Sequence, residues 1–235
     1  MKVAPDSSFI RQSNGSLMKY FAHLLLMSPA VLWIVLCTTS IAAGANTISE
    51  HALQAKIQYC QDCHGPSGEG TSGGYLPIPR IAGQTPQYIE RQLLAFADSM
   101  RDKDSSMGIT SAHTVSPAMR ALLAAHFSGL DPPPIGRGPR DLVTTGRAIY
   151  QEGVPAANVP ACSGCHGPEA NGRREIPRLA GQLNSYTKIE LAEWSKKRGQ
   201  NPLVEGPAAA MKPIADSLSR AQIAAIAAYL SYLKK

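Results

Sequence analysis

The apolar positions fall into one unbroken run and several helical stripes. From Tyr20 to Ala43, 24 residues pass without Asp, Glu, Lys or Arg. At the other end, Ser219-Arg-Ala-Gln222 has the form of a capping box. Ile223, Ile226, Ala227 and Leu230 follow at positions 0, 3, 4 and 7, which predicts an amphipathic terminal helix. Thr85-Pro86 reads as an N-cap with proline at the first helical position and predicts a helix through about Asp98. Ser116-Pro117 does the same for a helix ending near Gly129, where glycine suits a helix exit. Nothing alternates at period two. The expected fold class is all-α, with three or four short helices per lobe joined by long Gly/Pro loops.

The apolar run belongs to a leader rather than to the fold. Lys2, Arg11 and Lys19 precede it, and Ala43-Gly44-Ala45 offers a small-residue cleavage site before Asn46. Residues 1–45 are therefore expected to be a signal peptide. The alternative is an uncleaved anchor giving membrane association, since the run is long enough to cross a bilayer. His23, Ser28 and Pro29 interrupt it and favour cleavage. A lipid anchor on Cys37 is disfavoured by Leu36, which stands where a small residue is needed. Either way the remaining chain is expected in an exported compartment, the periplasm.

That remaining chain repeats itself. Cys60-Gln-Asp-Cys63-His64-Gly65-Pro66 recurs as Cys162-Ser-Gly-Cys165-His166-Gly167-Pro168. Pro79-Arg-Ile-Ala-Gly-Gln84 recurs as Pro177-Arg-Leu-Ala-Gly-Gln182, Tyr88 matches Tyr186, and Phe96 matches Trp194. The stretch from Ser116 to Leu130 runs parallel to that from Ser219 to Leu233. The expected domains are 46–130 and 141–235, joined by a non-helical Pro/Gly-rich linker at 131–140.

Composition changes the picture in two ways. Hydrophobic residues make up 44% of the 235 and charged residues 17%, which excludes a disordered chain. Aromatics are only 6%, so a lobe of about 95 residues with long loops has a thin core that something else should fill. The formal charge of +6 invites a nucleic-acid reading, but three of the basic residues lie in the leader. Residues 46–130 carry six basic and seven acidic side chains, and residues 131–235 carry 14 and nine. No nucleic acid is expected. The polarity between lobes, including Arg173-Arg174 and Lys196-Lys197-Arg198, is either solvated surface or a basic face that steers toward an acidic partner.

Cys-x-x-Cys-His is the attachment signature of a c-type haem. Both thiols add across haem vinyl groups, and the adjacent histidine reaches the iron. A zinc ribbon places its pairs about 15–20 residues apart, whereas 98 residues separate Cys63 from Cys162. A thioredoxin-like pair needs a βαβ context, and two disulfides would leave both histidines unexplained. Cys60, Cys63, Cys162 and Cys165 are thus expected to hold two covalent haem c groups, with iron ligated by His64 and His166. For the second distal ligand, Met211 is the only methionine after its motif and is expected on a loop before the last helix. In the first lobe the candidates are Met100, Met107, His113 and Met119. Aligning Ser116 with Ser219 sets Met211 opposite Gly108, so Met107 leads. His113 is its rival, and Met119 falls inside a helix as a core residue. His51 and His126 are expected to be surface or packing residues.

These residues carry a resemblance. Both lobes resemble class I cytochromes c, and the tandem is similar to the dihaem cytochrome c4 family. The matching residues are the two Cys-x-x-Cys-His-Gly-Pro motifs, the Pro-Arg-(Ile/Leu)-Ala-Gly-Gln repeats and Met211 with its final helix. The resemblance covers essentially all of 46–235 and implies two tandem class I cytochrome c domains with neighbouring haems. It further implies that the carbonyls of Pro79 and Pro177 accept a hydrogen bond from the proximal histidines, fixing tautomer and orientation. Gly73-Gly74-Tyr75-Leu76 adds length to the first lobe and departs from the pattern. The implied function is an electron carrier and not an enzyme, relaying electrons from a quinol–cytochrome c oxidoreductase to a terminal oxidase. The alternative is the electron-accepting subunit of an exported dehydrogenase, such as a flavocytochrome sulfide dehydrogenase or an alcohol dehydrogenase complex. A dihaem peroxidase would need an iron with an open or displaceable ligand.

Overall fold

A computed structural model describes residues 48–98, 101, 109–198 and 207–234. The expected leader, Met100 and Met107 lie outside them. Ten α-helices and no strands occur among the described residues. Three isolated bridges, Thr71–Ile78, Val154–Val159 and Arg173–Ile176, are the only β-type pairings there.

In the first lobe these are α1 (Glu50–His64), α2 (Pro86–Ala97), α3 (Ile109–His113) and α4 (Pro117–Ser128). Each long helix starts where its capping chemistry lies. The Ser49 hydroxyl accepts from the Ala52 N–H, Thr85 from Tyr88 and Ser116 from Met119. Helix α4 ends before Gly129 as expected, but Gly129 has an ordinary right-handed φ of −77°. A left-handed exit is unnecessary because the Phe127 carbonyl is satisfied from outside the helix, by the N–H of Gly83 at 2.9 Å.

The second lobe holds α5 (Val143–Glu152), α6 (Ser163–His166), α7 (Asn184–Ala192), α8 (Trp194–Lys197), α9 (Pro207–Ser217) and α10 (Arg220–Tyr232). That exceeds the three or four helices expected, because two helices of the first lobe each correspond to two here, α1 to α5 and α6, and α2 to α7 and α8. Helix α1 runs unbroken through its cysteine motif. In the second lobe Gly153, at φ +77°, ends α5, and a 3-10 turn at Pro155–Ala157 followed by Pro160 separates it from α6. Helix α10 has its capping box, with Ser219 and Gln222 exchanging both hydrogen bonds. Its end repeats the device of α4, the Gly181 N–H bonding the Leu230 carbonyl at 2.9 Å.

Each lobe has its own core. Ile57, Leu123 and Phe127 form the first, with Leu53, Ile81, Ile89 and Met119 packed against them. Met119 is thus a packing residue, as expected. The second core joins Ile149 and Tyr150 of α5 to Ala225, Ile226, Tyr229 and Leu230 of α10. The helices touch backbone to backbone at Gly146, where a Cβ would lie 1.9 Å from the Ala225 carbonyl oxygen. The buried Phe127 and Leu230 each contribute about 2–3 kcal/mol by leaving water. Among the described residues Ala82, Phe96 and Ala124 are the other buried hydrophobics of the first lobe, a small core for its length, as composition leads one to expect.

Candidate functional site

In the first lobe Cys60, Cys63 and His64 occupy the last turn of α1, so the sulfurs stand one helical turn apart on one side. In the second lobe Cys162 caps α6, and Cys165 and His166 end it. All four thiols are free of disulfides, and Cys63 and Cys165 are exposed. Both histidines are buried, at 8% and 5% exposure. Burial pushes the imidazolium of His64 down to about 4 and lowers that of His166 as well.

The two proline carbonyls stand where the resemblance implied. His64 Nδ1 lies 2.8 Å from the Pro79 oxygen and His166 Nδ1 lies 2.9 Å from that of Pro177. A carbonyl only accepts, so Nδ1 carries the hydrogen and Nε2 keeps its lone pair for a metal. The loop that delivers each carbonyl is tied by a bridge, Thr71 to Ile78 and Arg173 to Ile176, with all four N···O distances at 2.9 Å. Between the bridging residues lie six residues in the first lobe and two in the second, the added length being Gly73 to Leu76. Gly70 and Gly172 let the segment approach, since a Cβ at either would lie within 2.8 Å of backbone atoms of Ile78–Arg80 or Ile176–Arg178. The Thr71 hydroxyl also donates to the Cys63 carbonyl at 3.0 Å.

Beyond the proximal side the first lobe places His113 beside His64, ring centres 6.0 Å apart with planes at 88°. Phe96 stacks on the face of His113 at 4.4 Å. Met211 is half-buried and lies within α9, not on a loop. The run Ala208-Ala-Ala210 favours helix, and Pro213 forfeits a hydrogen bond without ending it. His51 is exposed, and His126 meets Phe127 edge-on at 5.0 Å.

The seam between the lobes carries residues that the sequence did not single out for chemistry. Arg101 and Gln92 of the first lobe meet Tyr186, Glu190 and Arg198 of the second. Arg101 donates to the Gln92 side chain at 2.5 Å and to the Tyr186 hydroxyl at 2.9 Å. Arg198 bonds Glu190 at 2.5 Å and reaches Tyr88 and Gln92 across the seam. Burial alone would raise the Glu190 carboxyl, but Arg198, Arg101 and Lys197 outweigh it and hold the group at about 2. Arg198 is therefore not part of an exposed basic face. Of the two basic runs in this lobe, Arg173, Arg174 and Lys196 are the exposed members. The paired tyrosines, Tyr88 and Tyr186, were the only signal in the sequence pointing to this cluster.

A second seam cluster is built from the repeated Pro-Arg-x-Ala-Gly-Gln segments. Arg80 and Arg178 both reach Asp131, at 3.3 and 3.2 Å. Among the described residues the two seam clusters hold four arginines with side chains 9% exposed or less, against two carboxylates, Glu190 and Asp131. That positive surplus suits the propionates of bound haems. Free paired thiols, a buried imidazole with a bare Nε2 and a thin core all fit a covalent haem in each lobe. His64 and His166 would ligate iron, and the cysteines would form thioethers.

An all-helical pair of lobes, each with a cysteine pair and a carbonyl-anchored histidine, defines a dihaem c-type cytochrome. Comparison with known proteins narrows the class. The cytochrome c family model matches residues 143–234. Cytochrome c4 of Thiocapsa roseopersicina is 33% identical over 202 residues, 83% of this chain and 97% of its own. The thiosulfate dehydrogenase electron acceptor of Thiomonas intermedia (strain K12) is 33% identical over 84% of this chain and 89% of its own. The solved structure of Acidithiobacillus ferrooxidans cytochrome c4 superposes with a TM-score of 0.62 at 33% identity, covering 75% of this chain and 99% of that one. The chain belongs to the cytochrome c4 family. It is an electron-transfer cytochrome with two covalently bound haem c groups.

Proposed function

We propose that this cytochrome is exported by its leader, residues 1–45, and works in the periplasm as a one-electron relay. Its two domains, 46–130 and 141–235, are joined by the linker at 131–140. Its donor is a quinol–cytochrome c oxidoreductase and its acceptor a haem-copper terminal oxidase. The observation that carries the reading is the proximal geometry, repeated in both lobes with matching hydrogen bonds to Pro79 and Pro177. Each haem supplies one-electron cycling of its iron. The protein's part is to hold both imidazoles in one tautomer on short helices and to keep the pair buried, so that little rearranges when charge changes. Met211 would ligate the iron of the second haem and Met107 that of the first, which would leave neither iron open to substrate. The placement of His113 beside His64 favours a second reading of the first distal position, ligation by that histidine.

A second reading of the partner has support from the relative named for accepting electrons from thiosulfate dehydrogenase. In that reading the donor is an exported dehydrogenase and the lobes are unchanged in role. The test is reduction of the oxidised dihaem protein by each donor in turn, followed by reoxidation by a haem-copper oxidase. Fast turnover with the quinol complex and oxidase supports the relay. Reduction only by thiosulfate dehydrogenase establishes the subunit reading instead.

A further inference from the structure

The proximal histidines and the seam between the lobes share the same two peptide groups. The carbonyl of Pro79 accepts from His64 Nδ1 at 2.8 Å, and the N–H of the same peptide, belonging to Arg80, donates 2.8 Å to Gln182 Oε1 of the other lobe. The mirror arrangement is equally complete. The carbonyl of Pro177 accepts from His166 at 2.9 Å, and the N–H of Arg178 donates 2.9 Å to Gln84 Oε1 of the first lobe. Each glutamine also donates from Nε2 to the next carbonyl, Gln182 to Arg80 at 3.0 Å and Gln84 to Arg178 at 2.6 Å. Gln182 Oε1 takes a further bond from the Leu183 N–H at 2.9 Å. Both glutamines are 7% exposed, and Arg80 and Arg178 are 3% exposed.

A peptide group whose N–H is bonded to a good acceptor has a more polarised carbonyl, which in turn is a stronger acceptor. A stronger acceptor at Nδ1–H makes the imidazole a stronger donor at Nε2, and outer partners of this kind tune a metal through its ligand. The chain from Gln182 to His64 runs through one peptide, with Gln182, Arg80 and His64 all buried. Gln84 stands in the same relation to His166.

We infer that each lobe tunes the other lobe's haem: Gln182 sets the donor strength of His64, and Gln84 that of His166. Both glutamines are positioning residues, acting through a peptide and a histidine and touching no metal. The exchange gives docked lobes a property that separated lobes lack. Any displacement at the seam, such as docking of a partner on one lobe, changes the proximal ligand of the other.

The inference rests on the reading of His64 and His166 as proximal ligands, and the experiment separates the two. Haem content of the unaltered dihaem protein is measured first, and fewer than two haems per chain overturns both. Midpoint potentials and the Nδ1–H proton resonances of the reduced protein are then compared among variants. The two Nδ1–H protons are assigned by their contacts to Ile78–Arg80 or Ile176–Arg178. Gln182→Leu is expected to move the His64 Nδ1–H upfield and raise one midpoint potential. Gln84→Leu is expected to move the His166 proton and raise the other potential. Gln182→Glu keeps the shape and strengthens the acceptor, so it should move the His64 proton downfield and lower the potential that Gln182→Leu raises. A change that merely loosened the seam would not reverse sign in this way. Asp131→Asn, which disturbs the same seam without touching either peptide, is expected to leave both protons in place. Both leucine variants raising the same potential, neither proton moving, or Asp131→Asn reproducing the Gln182→Leu pattern each overturns the inference.

Discussion

Arg101 of the first lobe and Glu190 of the second form a buried ion pair across the seam, with a nitrogen–oxygen distance of 3.7 Å and both side chains 9% exposed. Arg198 closes on the same carboxylate from within the second lobe. Lys197 pairs with it too, at 3.5 Å, so one acid faces three cations, and each arginine also has neutral partners in Tyr186 and Gln92.

Removing that acid should therefore be costly. Glu190→Ala leaves two buried guanidinium groups without their carboxylate, and unfolding of the dihaem protein in urea should show a loss of about 3–5 kcal/mol. The pH dependence has a definite sign. The carboxyl is held at about 2 in the folded protein, below its unfolded value of about 4.3. Its contribution is present in full above the unfolded value and is lost as pH falls toward 2. Urea midpoints should fall between pH 5 and pH 3, and Glu190→Gln should flatten that slope.

The crossing of α5 and α10 gives a second expectation. Gly146→Ala would drive a Cβ to 1.9 Å from the Ala225 carbonyl oxygen, so the helices must part. A loss of about 3 kcal/mol is expected, equivalent to a melting temperature lower by roughly 6–12 °C for a domain pair of this size. Thermal unfolding followed at the haem absorbance checks it. An unchanged melting temperature would show that the helices cross at a greater distance.

The distal ligands have a spectroscopic reading. Thioether ligation of oxidised iron gives a sulfur-to-iron charge-transfer band, whose intensity per haem counts the methionine-ligated irons. With Met107 and Met211 both bound, the band counts two haems and halves in either alanine variant. A band that counts one haem, vanishes in Met211→Ala and ignores Met107→Ala assigns the first iron to His113. In that case the histidine-ligated haem should be the harder of the two to reduce, because a methionine ligand raises the potential.

Much of this site was legible in the sequence, because haem attachment is local chemistry. Cys60, Cys63 and His64 sit within one helical turn, so spacing alone specifies them. The helix starts at Thr85, Ser116 and Ser219 were legible for the same reason, since a cap is a contact over three residues. What escaped is whatever depends on the lobes meeting. Gln84 and Gln182 were visible as a repeat but not as partners, being 94 and 102 residues from the backbone groups they bind. Arg198 stands in a basic run that reads as surface, and only the folded chain brings Glu190 and Gln92 around it. Met211, expected on a loop, lies instead within α9, which continues from the alanine run at 208–210 through Pro213.

With Arg198 withdrawn into the seam, a steering role for positive charge is left to exposed cations, Arg173 and Arg174 among them. Arg173 bridges to Ile176 and Arg174 opens the two-residue turn beside the second haem-binding motif, where the first lobe has its longer uncharged loop. The Thr85 hydroxyl donates to the Arg174 carbonyl and holds the turn, leaving both guanidinium groups outward. If an acidic acceptor docks on this lobe, its reoxidation rate should fall as ionic strength rises. Charge reversal at Arg173 and Arg174 should lower the rate by about tenfold at low salt, and the variant and parent should converge at high salt. Stopped-flow reoxidation across a salt series measures both effects. A parent rate that ignores salt, or an equal loss at all ionic strengths, would mean that the turn's charge is solvated surface and that docking is governed by uncharged contacts.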